Sequence, residues 1–257
     1  MFKSKSATFA AVIAAGALVL AGCSSTDTQE NEDGIALISQ GSLSICTNPP
    51  FEPFEYKDGD DIVGIDIDLM AEVAKDLNLE LKIVEAAFDA MESGAALESS
   101  QCDVIATGMT ITPERQEKFT FSDPYYDANQ GVLVKTGTEV SELSDLADLK
   151  VAVQVATTGA TLAEEQGFDS VIFEDMGLVA QSVETGQADV ALADIGLLRV
   201  YESDTLSVAF THETNEKYGF GVKKGNDKLA QAINATLKRV QSDDTYDNII
   251  TAHTTAN

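Results

Sequence analysis

Short apolar runs alternate with amphipathic stretches along most of this chain, a pattern that folds as parallel strands covered by helices. Leu43-Ser44-Ile45-Cys46 reads as the first strand. Ile65 to Leu77 reads as a helix with Leu69, Met70, Val73 and Leu77 on one face, and with Asp66 or Asp68 complementing the dipole near its start. Leu79 to Val84 alternates apolar and polar residues and reads as a strand. Met91 to Leu97 reads as a helix interrupted at Gly94, and Asp103 to Ala106 as a buried strand. The scheme then repeats. Strands are expected at Val151–Val155, Ser170–Phe173 and Ala188–Ala193, with helices at Thr161–Gln166 and Gly177–Thr185 closed by Gly167 and Gly186. Leu229, Ile233, Leu237 and Val240 mark a long helix near the C-terminus. The expected fold class is therefore α/β, with two lobes each built on a small sheet. Ligands in such sheets sit beyond the carboxyl ends of the strands, so the residues that follow the strands are the ones to inspect.

The N-terminus addresses compartment rather than fold. Lys3 and Lys5 precede an apolar stretch, Ala7 to Leu20, too short to hold a bilayer as a stable span. It ends at Leu20-Ala21-Gly22-Cys23, which resembles a bacterial lipobox. That motif predicts a signal peptide of residues 1–22, lipid on the Cys23 thiol and an acylated new amino terminus, palmitate included. Several acyl chains would hold the protein on the outer face of the cell membrane. Residues 23–40 begin polar and acidic without an aromatic, and read as a flexible tether; the globular body is expected from about Ile38.

Cleavage after residue 22 removes two lysines and no acid, deepening the formal charge from −27 to −29. Such a surface repels nucleic acid and anionic lipid. Two cysteines remain, Cys46 and Cys102, and export permits a disulfide. Both read as strand residues, however, and on parallel neighbouring strands their sulfurs would lie too far apart. The balance falls against a bridge and leaves the pairing open. Two cysteines and two distant histidines, His212 and His253, argue against a metal site.

Four stretches follow expected strands and could carry chemistry. Thr107 to Arg115 has Thr112 as N-cap, Pro113 at the first helical position, an exposed Gly108–Thr110 loop and Arg115 one turn into the helix. A guanidinium beside free amides suits a carboxylate, although alone the same residues describe a capped helix and a solvated arginine. Ala156-Thr157-Thr158-Gly159 opens another helix and offers a second anion grip. Asp194, at a strand end, could pair with an ammonium or simply cap the next helix. Thr47 to Tyr56 holds three prolines and two phenylalanines in a stiff loop, and Phe88 adds a ring; these are core plugs or walls of a slot. Two anion grips and one acid suit a small zwitterion.

With these residues in view, the chain from about Gly41 to Asn257 resembles the polar amino-acid binding proteins of bacterial ABC importers, the extracellular solute-binding proteins of family 3. The resemblance rests on Pro50-Phe51-Glu52-Pro53-Phe54-Glu55, Val63-Gly64-Ile65-Asp66-Ile67-Asp68-Leu69, Gly108 to Arg115, Phe121-Ser122-Asp123-Pro124-Tyr125-Tyr126 and the Ala156–Gly159 turn. It implies a periplasmic-binding-protein-like (type II) fold, with residues 41–127 plus 222–257 in one lobe and 128–221 in the other. Two crossing strands, near Asp127–Val134 and Tyr218–Val222, would form the hinge. It implies that Arg115 binds the ligand carboxylate with the amides of Thr110 and Thr158. Asp194, the Gly108 carbonyl and the Thr110 hydroxyl would take the ammonium. Phe51 and Phe88 would sandwich the aliphatic part, and Asn48, Met109 and Gln154 would face the ligand side chain. The implied partners are an amino acid, a membrane permease dimer and its cytoplasmic ATPase, with the binding protein a monomer that needs no cofactor.

Ala156 stands where the family usually has glycine, which puts the geometry of the second anion turn in question. Asn48 and Gln154 are neutral hydrogen-bonding groups and favour a polar uncharged ligand such as glutamine. Glu52, Glu55 or Asp127 would instead receive a cationic side chain if one points inward. Rival readings are a cyclohexadienyl (arogenate or prephenate) dehydratase-like enzyme, which would use Asp194 as proton donor, and a surface adhesin. No acid–base pair stands out, so the expectation is a binding protein and not an enzyme.

Overall fold

Two five-stranded mixed sheets account for most of the strands in the computed structural model, which describes residues 29–31 and 34–254. The expected signal peptide, Cys23 and the start of the tether lie outside the described residues. The first sheet runs in the order Glu80–Glu85, Ser42–Thr47, Val104–Ile105, Gly221–Val222, Thr120–Phe121. Its first three strands are parallel, and Gly221–Val222 runs against both neighbours. The second sheet runs in the order Asp169–Phe173, Lys150–Gln154, Val190–Asp194, Tyr126–Lys135, Leu206–Tyr218. Its first three strands are likewise parallel, and Tyr126–Lys135 is antiparallel to both neighbours.

Helix Ile65–Asp76 covers the first sheet with Ile65, Leu69, Met70 and Val73 fully buried, the face its spacing predicts. It meets Asp227–Ser242 and a further helix, Thr245–Thr254, that the apolar pattern did not reveal. Contacts with Tyr56 (3.0 Å from His253 Nδ1) and Asp68 (2.8 Å from Nε2) pin the end of that last helix. Gly64 opens Ile65–Asp76 at φ +141°, and a Cβ there would lie 2.1 Å from the Phe54 carbonyl oxygen. Only glycine fits. Helices Thr158–Gln166 and Met176–Thr185 pack on the second sheet, each closed by a left-handed glycine as expected.

Tyr126–Lys135 leaves the first sheet at Thr120–Phe121 to become the fourth strand of the second. Leu206–Tyr218 returns the chain from the second sheet to Gly221–Val222 of the first. The stretch expected as a continuous strand, Tyr218–Val222, is therefore broken at Gly219–Phe220, where the chain changes sheets. A Cβ on Gly219 would come within 2.9 Å of the Ile111 side chain, so a larger residue at the crossing would push that side chain aside.

Two expectations are corrected. Cys46 and Cys102 form a disulfide with Cα atoms 5.6 Å apart. The strands are parallel neighbours, but Cys102 is not in one of them. After helix Ala95–Glu98 the chain turns through Ser100 at φ +56°, and Cys102 lies in the loop before the strand begins at Val104. The folded body also starts earlier than Ile38. Ile35 and Leu37 are 4% and 0% exposed within the main core, and Ala36–Leu37 pairs with Gln29–Glu30.

Candidate functional site

Arg115 reaches the gap between the lobes because Thr112 Oγ1 accepts its backbone N–H at 3.2 Å, fixing the first turn of helix Pro113–Lys118. The side chain is 3% exposed. Nη1 donates to the Thr110 carbonyl at 2.9 Å, and Nη2 crosses to the other lobe and donates to the Ala156 carbonyl at 2.9 Å. The guanidinium stands 5.6 Å over the Phe88 ring, with Nε 3.7 Å from Glu92. Burial pulls its pKa down from the usual arginine value, opposed by the charges of Glu92, Asp194 and Glu216. A cavity of about 400 Å³ opens here, lined by Arg115, Ala156, Thr158 and Glu216 among others.

Ala156 adopts φ +61° and so keeps the left-handed turn that glycine would supply more easily. Thr157 caps the following helix through Ala160 N–H at 3.1 Å, leaving Thr158 as the first helical residue, three positions earlier than its spacing suggested. Gly108 turns at φ +51° over Phe51, and its N–H donates to Asp66 Oδ2 at 2.8 Å. Thr110 bridges to Tyr218 of the crossing strand.

Asp194 ends strand Val190–Asp194 and stands at the N-cap position of the helix that follows, but its side chain makes no capping hydrogen bond. Gln130 Nε2 donates to its Oδ1 at 2.6 Å, and the Tyr218 side chain also bonds to it. Burial first, and then the nearby Glu216 charge, raise its pKa to about 7 against the pull of Tyr218, Arg115 and Gln130. Asn48 and Gln154 meet across the lobes: Gln154 Nε2 donates to Asn48 Oδ1 at 2.9 Å and to the Glu174 carbonyl at 3.0 Å. Gln154 Oε1 is buried without a hydrogen bond. Phe51 and Phe88 are 6% and 5% exposed. Met109 lies in the buried cluster that holds Phe88, Phe119 and the two bridged cysteines.

The three acids considered for a cationic side chain do not converge on this place. Glu55 is fully buried in the first lobe against the Thr107 hydroxyl, and burial together with the Asp66 charge raises its pKa well above the carboxylate range. Asp127 pairs with Lys217 at the surface. Glu52 is half-exposed on the proline-rich loop. Two residues missed by sequence reading do converge. Gln130 lies on one crossing strand, 1% exposed, and Glu216 lies on the other, accepting hydrogen bonds from Thr110, Thr158 and Gln130. The only signal for Glu216 was its place two residues before Tyr218.

The model for bacterial extracellular solute-binding proteins, family 3, matches residues 43–256. The chain belongs to that family. A probable histidine-binding protein of Neisseria gonorrhoeae is 30% identical over 93% of this chain and 92% of its own length. An ABC transporter glutamine-binding protein of Bacillus subtilis (strain 168) is 34% identical over 74% of this chain and 71% of its own. Among solved structures, an ancestral arginine-binding protein bound to glutamine superposes with a TM-score of 0.79 at 32% identity, covering 84% of this chain and 98% of that one. Family membership makes the two-lobed fold and the solute-binding class plain. The relatives' names span several amino-acid side chains.

Proposed function

We propose that this protein captures an α-amino acid between its two lobes outside the cell and delivers it to the permease of an ABC importer. One observation carries the reading: a buried guanidinium, Arg115, and a strand-end carboxylate, Asp194, come from different lobes and lie close enough to feel each other's charge. A carboxylate on Arg115 would replace the neutral carbonyls of Thr110 and Ala156 with charge-assisted bonds. The amides of Thr110 and Thr158 would assist it. The ligand ammonium would take Asp194, the Gly108 carbonyl and the Thr110 hydroxyl. Phe51 and Phe88 would flank the aliphatic carbons.

Asn48, Met109 and Gln154 would form the side-chain pocket, and the bond from Gln154 to Asn48, with Gln154 Oε1 left open, favours a polar uncharged ligand such as glutamine. A glutamine-binding relative and a glutamine-bound structural neighbour support that preference. The lobes, residues 41–127 plus 222–257 and 128–221, would close about the two crossing strands, and the permease would read the closed form. Cys23 would carry the lipid that keeps the monomer at the membrane. The role is binding, not catalysis.

The test is calorimetry on the mature chain, unfolded and refolded to strip retained ligand, across the twenty amino acids plus cystine and ornithine. Tight one-to-one binding of one or a few, glutamine among them, is expected. Silence across the panel, or turnover of arogenate or prephenate, would overturn the proposal.

A further inference from the structure

Glu216 makes more hydrogen bonds to the site than any residue sequence reading had picked out. Its Oε2 accepts from the Thr158 hydroxyl at 2.9 Å, the Thr110 hydroxyl at 3.2 Å and Gln130 Nε2 at 3.2 Å, and its Oε1 accepts from Gln130 Nε2 at 3.3 Å. The two threonines belong to the two anion grips, one before helix Pro113–Lys118 and one opening helix Thr158–Gln166. An ionised carboxylate only accepts, so both hydroxyl protons point at Glu216. The threonine oxygens are thereby left with lone pairs for anything else that approaches. Thr158 Oγ1 already uses one to accept from Gln130 Nε2 at 3.1 Å. The same Gln130 nitrogen donates to Asp194 at 2.6 Å, so a single amide stands between the two carboxylates.

We infer that Glu216 is a positioning residue that makes the site specific for the ammonium group of an α-amino acid; this rests on the function proposed above. An ammonium has three donors and no acceptor, so it is satisfied by an oxygen whose proton is already committed. A ligand lacking that ammonium leaves the oriented Thr110 oxygen without a donor, and leaves Asp194 with only its protein donors, Gln130 and Tyr218. A keto oxygen there would set acceptor against acceptor. Glu216 also adds a second negative charge behind the first, which strengthens the pull on a cation and offers nothing to a carboxylate. It acts through Thr110 and Asp194 and need not touch the ligand.

The experiment compares L-glutamine, L-histidine and L-arginine with their deamino analogues glutaramic, imidazolepropionic and guanidinovaleric acids, by calorimetry on the mature wild-type chain and on Glu216→Gln. The amide keeps the size but can donate, which frees the threonine protons. Glu216→Gln is expected to weaken binding of the preferred amino acid by at least about tenfold and to change its deamino analogue by less than about threefold, collapsing the ratio between them. Equal losses for both members of the pair, or no loss, would overturn the inference while leaving the amino-acid reading standing. Wild-type protein that binds none of the amino acids would overturn both. Thr110→Val provides a second variant should Glu216→Gln fold poorly. It is expected to reduce the same ratio, and the double variant to lose no more than the larger single loss, because both remove one device. Additive losses would overturn the inference too.

Discussion

Arg115 holds its position through three independent constraints: the Thr112 cap, the Thr110 carbonyl in its own lobe and the Ala156 carbonyl in the other. A ligand carboxylate meeting it there would be buried, so removal of the cation would leave that charge unpaired. Arg115→Ala is expected to weaken amino-acid binding by roughly 3–5 kcal/mol. Arg115→Lys should not restore it, because a point charge lacks the planar fork. Calorimetric titration checks both, and a loss smaller than about tenfold would contradict the role given to the residue. Asp194 has a different signature. With its pKa near 7, the carboxyl is increasingly protonated below neutrality, and a proton there competes with the ligand ammonium. The charged or titratable groups facing it are Glu216, Tyr218, Arg115 and Tyr126. Affinity should be highest near pH 8 and fall by up to about tenfold per unit below pH 6. In Asp194→Asn the slope should disappear along with most of the affinity. A wild-type profile level from pH 5 to pH 8 would remove Asp194 from the ammonium site.

At the scale of elements, much was legible because the signals are local. The buried face of Ile65–Asp76 follows from 3.6-residue spacing, and Gly167 and Gly186 mark helix ends through a conformation few other residues adopt. The Thr112-Pro113 start of its helix was equally readable. What escaped was set by contacts distant in sequence. Thr211 to Lys217 alternates polar residues and resembles an exposed edge, so nothing local distinguishes Glu216, turned toward the site, from its exposed neighbours Asn215 and Lys217. The Cys46–Cys102 bridge escaped because the reading placed Cys102 inside a strand, while the Ser100 turn delivers it from a loop. That bridge closes a segment of 56 residues, and chain-entropy arguments give it a few kcal/mol of stability. The Cys46→Ala, Cys102→Ala double variant is expected to melt several degrees lower and to lose some affinity, since the bridge shares a buried cluster with Phe88 and Met109. Differential scanning calorimetry beside a binding titration separates the effects. An unchanged melting temperature would mean the bridge adds nothing to the folded lobe.

The whole molecule carries a formal charge of −27, and beneath its ligand loop it buries two carboxyls, Glu55 and Asp66. Both features make stability depend on pH in the same direction, and salt separates them. Asp66 accepts from Gly108 N–H and Tyr125 Oη, yet burial outweighs those bonds and raises its pKa to about 7; Glu55 is raised as well. A carboxyl raised in the folded state contributes stability that is complete below about pH 4 and lost as pH climbs through 7. Surface repulsion among the acids also grows as they ionise, but it acts through solvent and is screened within about 10 Å at 0.1 M salt. The melting temperature should therefore fall between pH 5 and pH 8, and added salt should restore only the surface share. Asp66→Asn keeps an acceptor for Gly108 and a polar partner for Tyr125 while removing the titrating group. It should reduce the salt-insensitive part of the decline, leaving the shares of Glu55 and Asp194, and raise the melting temperature at pH 8 relative to wild type. If high salt alone abolishes the decline in wild type, the buried pair is not its source, and the acidic surface accounts for all of it.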